Sequence, residues 1–150
     1  MTDVAPALTE TSERTLILVK PDGVRRGRTG ERLRPVDAKR DTLAAVRLLD
    51  ATPELLAAHY AEHEGKPFFQ PLVDFMLSGK ILAVVAEGQG VVPGFRSLAG
   101  ATNPTEALPG TIRGDLGRDW GLKVQQNLVH GSDSPESAAR EIALWFPELG

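Results

Sequence analysis

The residues best placed to do chemistry lie together near the C-terminus, in the run Asn127-Leu128-Val129-His130-Gly131-Ser132-Asp133-Ser134-Pro135-Glu136. An apolar pair leads into a histidine, a glycine follows, and polar residues then open a helix. Ser134 suits the N-cap, Pro135 the first helical position, and Glu136 the positive end of the helix dipole. A histidine at a strand end, beside unpaired helix N–H groups, is in a setting that can meet phosphate. It can equally be a partly buried structural residue. Phosphoryl chemistry also needs cations for developing charge, neutral donors, and a flat face against which a base can stack. The chain offers Lys20, Arg96 and Arg113 as cations, Tyr60, Thr102 and Asn127 as donors, and Phe68 as a stacking face. Each of these, taken singly, also has a structural explanation. There is no Gly-x-x-x-x-Gly-Lys-Ser/Thr, so this is not a P-loop protein, and a histidine-based transfer is the route left open.

A second grouping competes for attention. His59-Tyr60-Ala61-Glu62-His63 fits the H-x-x-E-H pattern of inverted zinc peptidases, which would put both histidines on one helical face. Five residues match by chance easily, and the chain is short for such an enzyme. A basic cluster, Arg25, Arg26, Arg28, Arg32 and Arg34, reads as a solvated face.

These residues need a scaffold, and 150 residues make one domain with a real core. Apolar residues are 41% and charged residues 25%, ordinary for a globular protein, and a net charge of −3 argues against nucleic acid or an acidic membrane as the primary partner. Without cysteine there is no disulfide framework and no thiolate chemistry, which allows a reducing compartment without proving one; the location expected is cytoplasmic. No apolar run spans a bilayer. Residues 1–12 lack the basic and apolar regions of a signal peptide and read as a flexible tail ahead of a single domain over 13–150.

Thr15 to Val19 is an apolar, β-branched run that reads as a buried strand, ending in a turn at Lys20-Pro21-Asp22-Gly23. Lys20 can be a solvated strand terminus or a phosphate-binding cation at a strand end. A helix within Gly30 to Lys39 must start late, near Pro35, or kink there. Leu43 to Leu49 is a second strand. Thr52-Pro53-Glu54 starts a helix carrying Leu55, Leu56, His59, Tyr60 and His63. A second helix runs from about Pro67 to Leu77. Ile81 to Glu87 is a third strand, and a helix follows within Gly90 to Gly100, leaving Arg96 off its apolar stripe. Ala101 to Gln126 reads as a long loop, of a length that is usually functional or disordered. Leu128 and Val129 belong to a fourth strand, and Ser134 to Phe146 is the last amphipathic helix. This order predicts an α+β sandwich with a four-stranded antiparallel sheet covered by helices, as in ferredoxin-like folds.

The run Asn127 to Ser134 closely resembles the active-site signature of nucleoside diphosphate kinases. So do Thr15 to Arg26 (TLILVKPDGVRR), His59 to Phe69 (HYAEHEGKPFF), Asn103-Pro104 and Pro109 to Asp115 (PGTIRGD), in the family's order from about Glu13 to Phe146. The resemblance implies a ping-pong reaction with broad base specificity. A nucleoside triphosphate, typically ATP, phosphorylates a histidine, and a nucleoside diphosphate takes the group. By position His130 is the nucleophile and Glu141 the carboxylate that orients its ring, with Ser132 of the signature in the catalytic set. Lys20, Tyr60, Arg96, Thr102, Arg113 and Asn127 match phosphate- and ribose-contacting positions. Phe68 matches the base-stacking residue, with Leu72 beside it and Val124 covering the base. Mg2+ would be held by nucleotide phosphates and water rather than by protein ligands. The family forms homo-oligomers, and a hexamer is expected over a tetramer. A non-enzymatic nucleotide sensor on the same fold is the other reading; it would bind nucleotide and leave His130 unmodified. The chain departs from the family pattern at Arg32, Pro35 and Asp37, at Arg40-Asp41, at Lys80, and in a longer Gly114 to Gln126 segment that includes Trp120.

Overall fold

The strand that begins the fold is also its centre. β1 (Ser12–Val19) pairs antiparallel with β3 (Ile81–Gln89) on one side and with β4 (Val129–Gly131) on the other. β2 (Thr42–Leu49) adds to the outer side of β3, giving the order β2-β3-β1-β4. The computed structural model describes residues 12–27, 41–117 and 127–149. The four-stranded antiparallel sheet with helices is the expected architecture.

Successive residues of a strand point to opposite faces, and both faces are covered here, so the second half of β1, Leu16 to Val19, is apolar at every position instead of at every second one. Leu16 and Leu18 belong to one core cluster, with Leu56, Met76, Ile142 and Trp145. Ile17 and Val19 belong to another, with Phe95, Ile112, Leu128 and Val129. Burying each such side chain stabilises the fold by about 1.5–3 kcal/mol. The first cluster is supplied by α2 (Pro53–His59), α3 (Phe69–Met76) and α6 (Pro135–Trp145). The second is supplied by α4 (Val91–Ala99) and α5 (Ile112–Leu116).

Helix starts follow their capping residues. The Thr52 hydroxyl accepts the Leu55 N–H at 3.1 Å, and that of Ser134 accepts the Ser137 N–H at 3.1 Å, each followed by a proline. Caps of this kind are worth about 1 kcal/mol.

Several expected boundaries shift. The helix expected to run through His63 ends at His59, where Tyr60 leaves helical geometry; Ala61–His63 is a separate 3-10 turn. The following helix starts at Phe69 rather than near Pro67. The turn expected at Lys20 to Gly23 is a short helix, α1 (Pro21–Arg25), because Pro21 fixes a helical first φ. The long loop contains α5, nucleated by a Thr111 cap that the Gly- and Pro-rich composition obscures. Ser12, expected at the end of the tail, is already in β1. His130 lies within β4 rather than at a strand end, and Leu128 lies outside that strand. The expected helix near Pro35, Arg28, Arg32 and Arg34, and Trp120 and Val124 lie outside the described residues.

Candidate active site

His130 stands on β4 opposite Leu18 of β1, so the sheet fixes its backbone. Gly131 allows this close packing, since a Cβ there would lie 2.5 Å from the Phe95 ring. The His130 Nε2 is 2.7 Å from Glu141 Oε1 on α6. The same oxygen accepts the Ser132 hydroxyl at 2.9 Å, and Ser132 Oγ accepts the Leu16 N–H at 3.1 Å. An ionised carboxylate only accepts, so in the neutral ring the proton sits on Nε2 and the lone pair on Nδ1. Nδ1 is therefore the nitrogen available as a nucleophile. Ser132 is fully buried and cannot touch a substrate; it holds Glu141.

Lys20 caps α1 at the end of β1 and donates from Nζ to Asn127 Oδ1 at 2.8 Å. Burial first, then Arg113, pushes its pKa down to about 8, against an opposing pull from Asp22. Asn127 in turn donates to the Thr102 carbonyl at 3.1 Å. Arg113 donates to the carbonyls of Asn127, Gly100 and Val129 at 3.1, 2.8 and 2.7 Å. It thus stitches the loop after α4 to the approach to β4, with its pKa pushed down to about 10 by burial and then by Arg96. The Tyr60 phenol is pushed well up by burial and by Glu141, so it remains a donor.

The approach to β4 is strained. Leu128 has φ +72°, and the Val129 N–H bonds back to the Asn127 carbonyl at 2.8 Å, two residues earlier. That pairing with positive φ is the rare γ-turn. The Leu128 N–H donates to Asp22 Oδ2 at 3.1 Å, and its carbonyl accepts the Lys20 N–H at 2.8 Å. The segment after β1 therefore grips both sides of the turn that aims Asn127 and His130.

Lys20, Tyr60, Arg96, Thr102, Arg113, Asn127, His130 and Glu141 line one pocket of about 310 Å³. Phe68 and Leu72 do not line it. Phe68 is exposed at the rim, its ring 5.2 Å from that of His63, and Leu72 packs against the core beneath. His59, His63, Asp133 and Arg140 also line the pocket and were not assigned to a phosphate site from sequence. Asp133, beside the signature histidine, is held low chiefly by its Ser137 hydrogen bond; adjacency to His130 was the available signal.

The zinc-peptidase geometry does not form. The helix stops between the two histidines, and His63 packs against Tyr60 and Phe68 while His59 turns toward His130. As for a cation, three carboxylates line the pocket: Glu141 is occupied by His130 and Ser132, Asp133 by Ser137 and Ser134, and Glu62 is exposed, 3.7 Å from His63 Nε2. This donor set fits a divalent ion carried on phosphate oxygens and water rather than a protein cage.

A family model described as nucleoside diphosphate kinase matches residues 13–149. A nucleoside diphosphate kinase of Mycolicibacterium gilvum is 56% identical over 139 residues, covering 92% of this chain and 99% of that protein. One of Mycolicibacterium vanbaalenii is 57% identical over 137 residues, covering 91% and 98%. Among solved structures, a nucleoside diphosphate kinase family protein from Babesia bovis superposes with TM-score 0.84 at 46% identity, covering 91% of this chain and 90% of that one. The nucleoside diphosphate kinase of Encephalitozoon cuniculi superposes with TM-score 0.84 at 40% identity, covering 89% and 88%.

Proposed function

Because the chain belongs to the nucleoside diphosphate kinase family and so moves a phosphoryl group from a nucleoside triphosphate to a nucleoside diphosphate through a histidine, we propose that His130 is that histidine. The observation that carries this assignment is the Glu141 contact at Nε2, which leaves the Nδ1 lone pair for attack. Nδ1 attacks the γ-phosphorus, an N–P bond forms, and the P–O bond to the leaving nucleoside diphosphate breaks. The Nε2 proton stays shared with Glu141, which offsets the positive charge arising on the ring. The second half runs in reverse with a different diphosphate. Lys20, Arg96 and Arg113 supply cationic charge to the phosphates, and Tyr60, Thr102 and Asn127 supply neutral donors to phosphate and ribose. Glu141 and Ser132 position His130. Phe68, with Leu72 and Val124, serves the base, and the exposed Phe68 ring, a stacking face that any base can use, supports broad base acceptance.

Mg2+ is the divalent ion of this reading, neutralising charge on the phosphates it is bound to. The active form is a homo-oligomer, a hexamer in preference to a tetramer. Support comes from edge strand β2, where Val46 and Leu48 are 54% and 59% exposed. No helix of the described residues is long and apolar enough to cross a membrane. A cytoplasmic location accords with a chain free of cysteine.

The test is brief incubation with γ-labelled ATP and Mg2+, then a chase with GDP. The protein-bound label is expected to be acid-labile and base-stable, absent from His130→Ala, and transferable to give labelled GTP. Nucleotide binding without a labelled protein would mean that the fold has been kept without the chemistry.

A further inference from the structure

His59 has no part in the transfer described so far, yet its ring packs directly against that of His130. It is buried, and its ring stands edge-on to that of His130, with centroids 4.9 Å apart and planes at 74°. The opposite constraint comes from the core: the Trp145 indole N–H donates to His59 Nδ1 at 3.0 Å. Indole nitrogen is a donor only, so Nδ1 must present its lone pair and the ring proton must sit on Nε2. The backbone of His59 is gripped from the same helix, where Arg140 donates to the carbonyls of Ala58 and His59 at 3.0 and 3.3 Å. α6 therefore carries Trp145 and Arg140 for one histidine and Glu141 for the other.

We propose that His59 is a positioning residue for phosphoryl transfer, locked by Trp145 as the neutral Nε2–H tautomer so that an uncharged ring braces His130. Neutrality matters because the His130 ring gains positive charge as its N–P bond forms. A protonated imidazole 4.9 Å away would oppose that step. The groups facing His59 work in the same direction. Lys20, His63, His130 and Arg140 disfavour a further cation there, Glu141 is already committed to His130, and burial is the largest influence, holding its pKa down at about 2.

The same geometry removes a competing use. One atom each of His59, His130 and Glu141 lie within 4.8 Å of one another, a spacing that would suit a metal. A metal-binding histidine donates its second N–H to an acceptor. His59 does the opposite, accepting at Nδ1, so its neutral ring keeps a proton on Nε2 and has no lone pair left to coordinate an ion.

This inference rests on His130 being the phosphorylated residue, so the test separates the two. In the wild-type protein, 15N-edited NMR of the imidazoles reads tautomer and titration with no need for turnover. A single Nε2–H form of His59 from pH 5.5 to 8 is expected; a titrating ring or an Nδ1–H form overturns the proposal. The second arm is Trp145→Phe, which keeps an aromatic body and removes the donor, so that burial still holds His59 neutral while its tautomer is freed. The same spectrum is expected to show a second, Nδ1–H population of His59 in the variant, with phosphoenzyme formation slowed several-fold and nucleotide KM little changed. A general packing defect would slow the reaction without moving the tautomer, and a variant whose His59 stays wholly Nε2–H, or whose rate matches the wild type, overturns the proposal. Failure of the wild type to form any phosphoenzyme would instead sink the assignment of His130, leaving the NMR result to stand alone.

Discussion

Lys20 carries two opposed consequences of its burial. In the proposed reaction its ammonium serves as a cation beside the phosphates, yet its pKa has dropped from 10.5 to about 8. Activity is therefore expected to fall as pH rises through about 8, and a Lys20→Arg variant, which stays charged, should lose this alkaline limb whatever its absolute rate. Stability should move the other way. Between pH 8 and 10.5 the unfolded chain binds the extra proton, so stability from this group rises with pH across that window. The cost of burying the charge is fully present below about 8. Parallel measurement of kcat and of urea midpoint from pH 7 to 10 checks both signs, and a common decline of the two would argue against this account. At this scale the sequence is a good guide to which residues gather at the pocket, because Lys20, Arg96, Arg113 and His130 all line it. It says nothing of their partners. Trp145 and His59 meet across 86 positions, and Lys20 and Asn127 across 107, distances that no local spacing encodes.

β4 illustrates how an element can be placed correctly and built unexpectedly. Apolar Leu128 and Val129 read as one strand, but only Val129–Gly131 pairs with β1. Leu128 is a γ-turn residue with φ +72°, buried among Ile17, Val129 and Phe95. Strain of this kind costs of order 1–3 kcal/mol and persists where packing over-determines it. Loss of the leucine side chain is common to Leu128→Ala and Leu128→Gly, so the two differ mainly in backbone preference. Glycine should be the more stable of the pair by about 1 kcal/mol in urea unfolding. At Leu16, mid-strand with ordinary φ, the order should reverse, and the same order at both sites would refute the strain. The helices were legible where caps announce them, at Thr52 and Ser134, and their ends were not. α2 stops at His59, where Tyr60 leaves helical geometry and Arg140, 82 positions from Ala58, takes the last carbonyls. α5 stayed hidden because a five-residue helix held by one threonine cap leaves no periodicity to read.

At the scale of the molecule, the sheet's order leaves β2 as one edge among the described residues, with Val46 and Leu48 exposed on it. An apolar edge of this kind calls for a partner or a cover. Leu48→Glu is expected to shift light-scattering mass toward smaller species while the monomer's helical and sheet signals persist. An unchanged mass would move the subunit contact elsewhere on the surface. The α+β sandwich itself was legible from the alternation of strand and helix, because burial of both sheet faces leaves unbroken apolar runs in β1 (Leu16 to Val19) and β3 (Ile81 to Ala86). That same double burial has a consequence before any sheet exists. Thr15 to Val19 and Ile81 to Ala86 are β-prone, uncharged stretches, the type that stacks into aggregates when an unfolded chain displays it. Each is bracketed by breakers: Glu13 and Arg14 ahead of the first with Lys20 and Pro21 behind it, Lys80 and Glu87 around the second. Flanking charges and prolines of this kind are the gatekeepers that keep such stretches from stacking. Lys20, proposed as a phosphate cation in the folded protein, stands in a gatekeeper's position in the nascent chain.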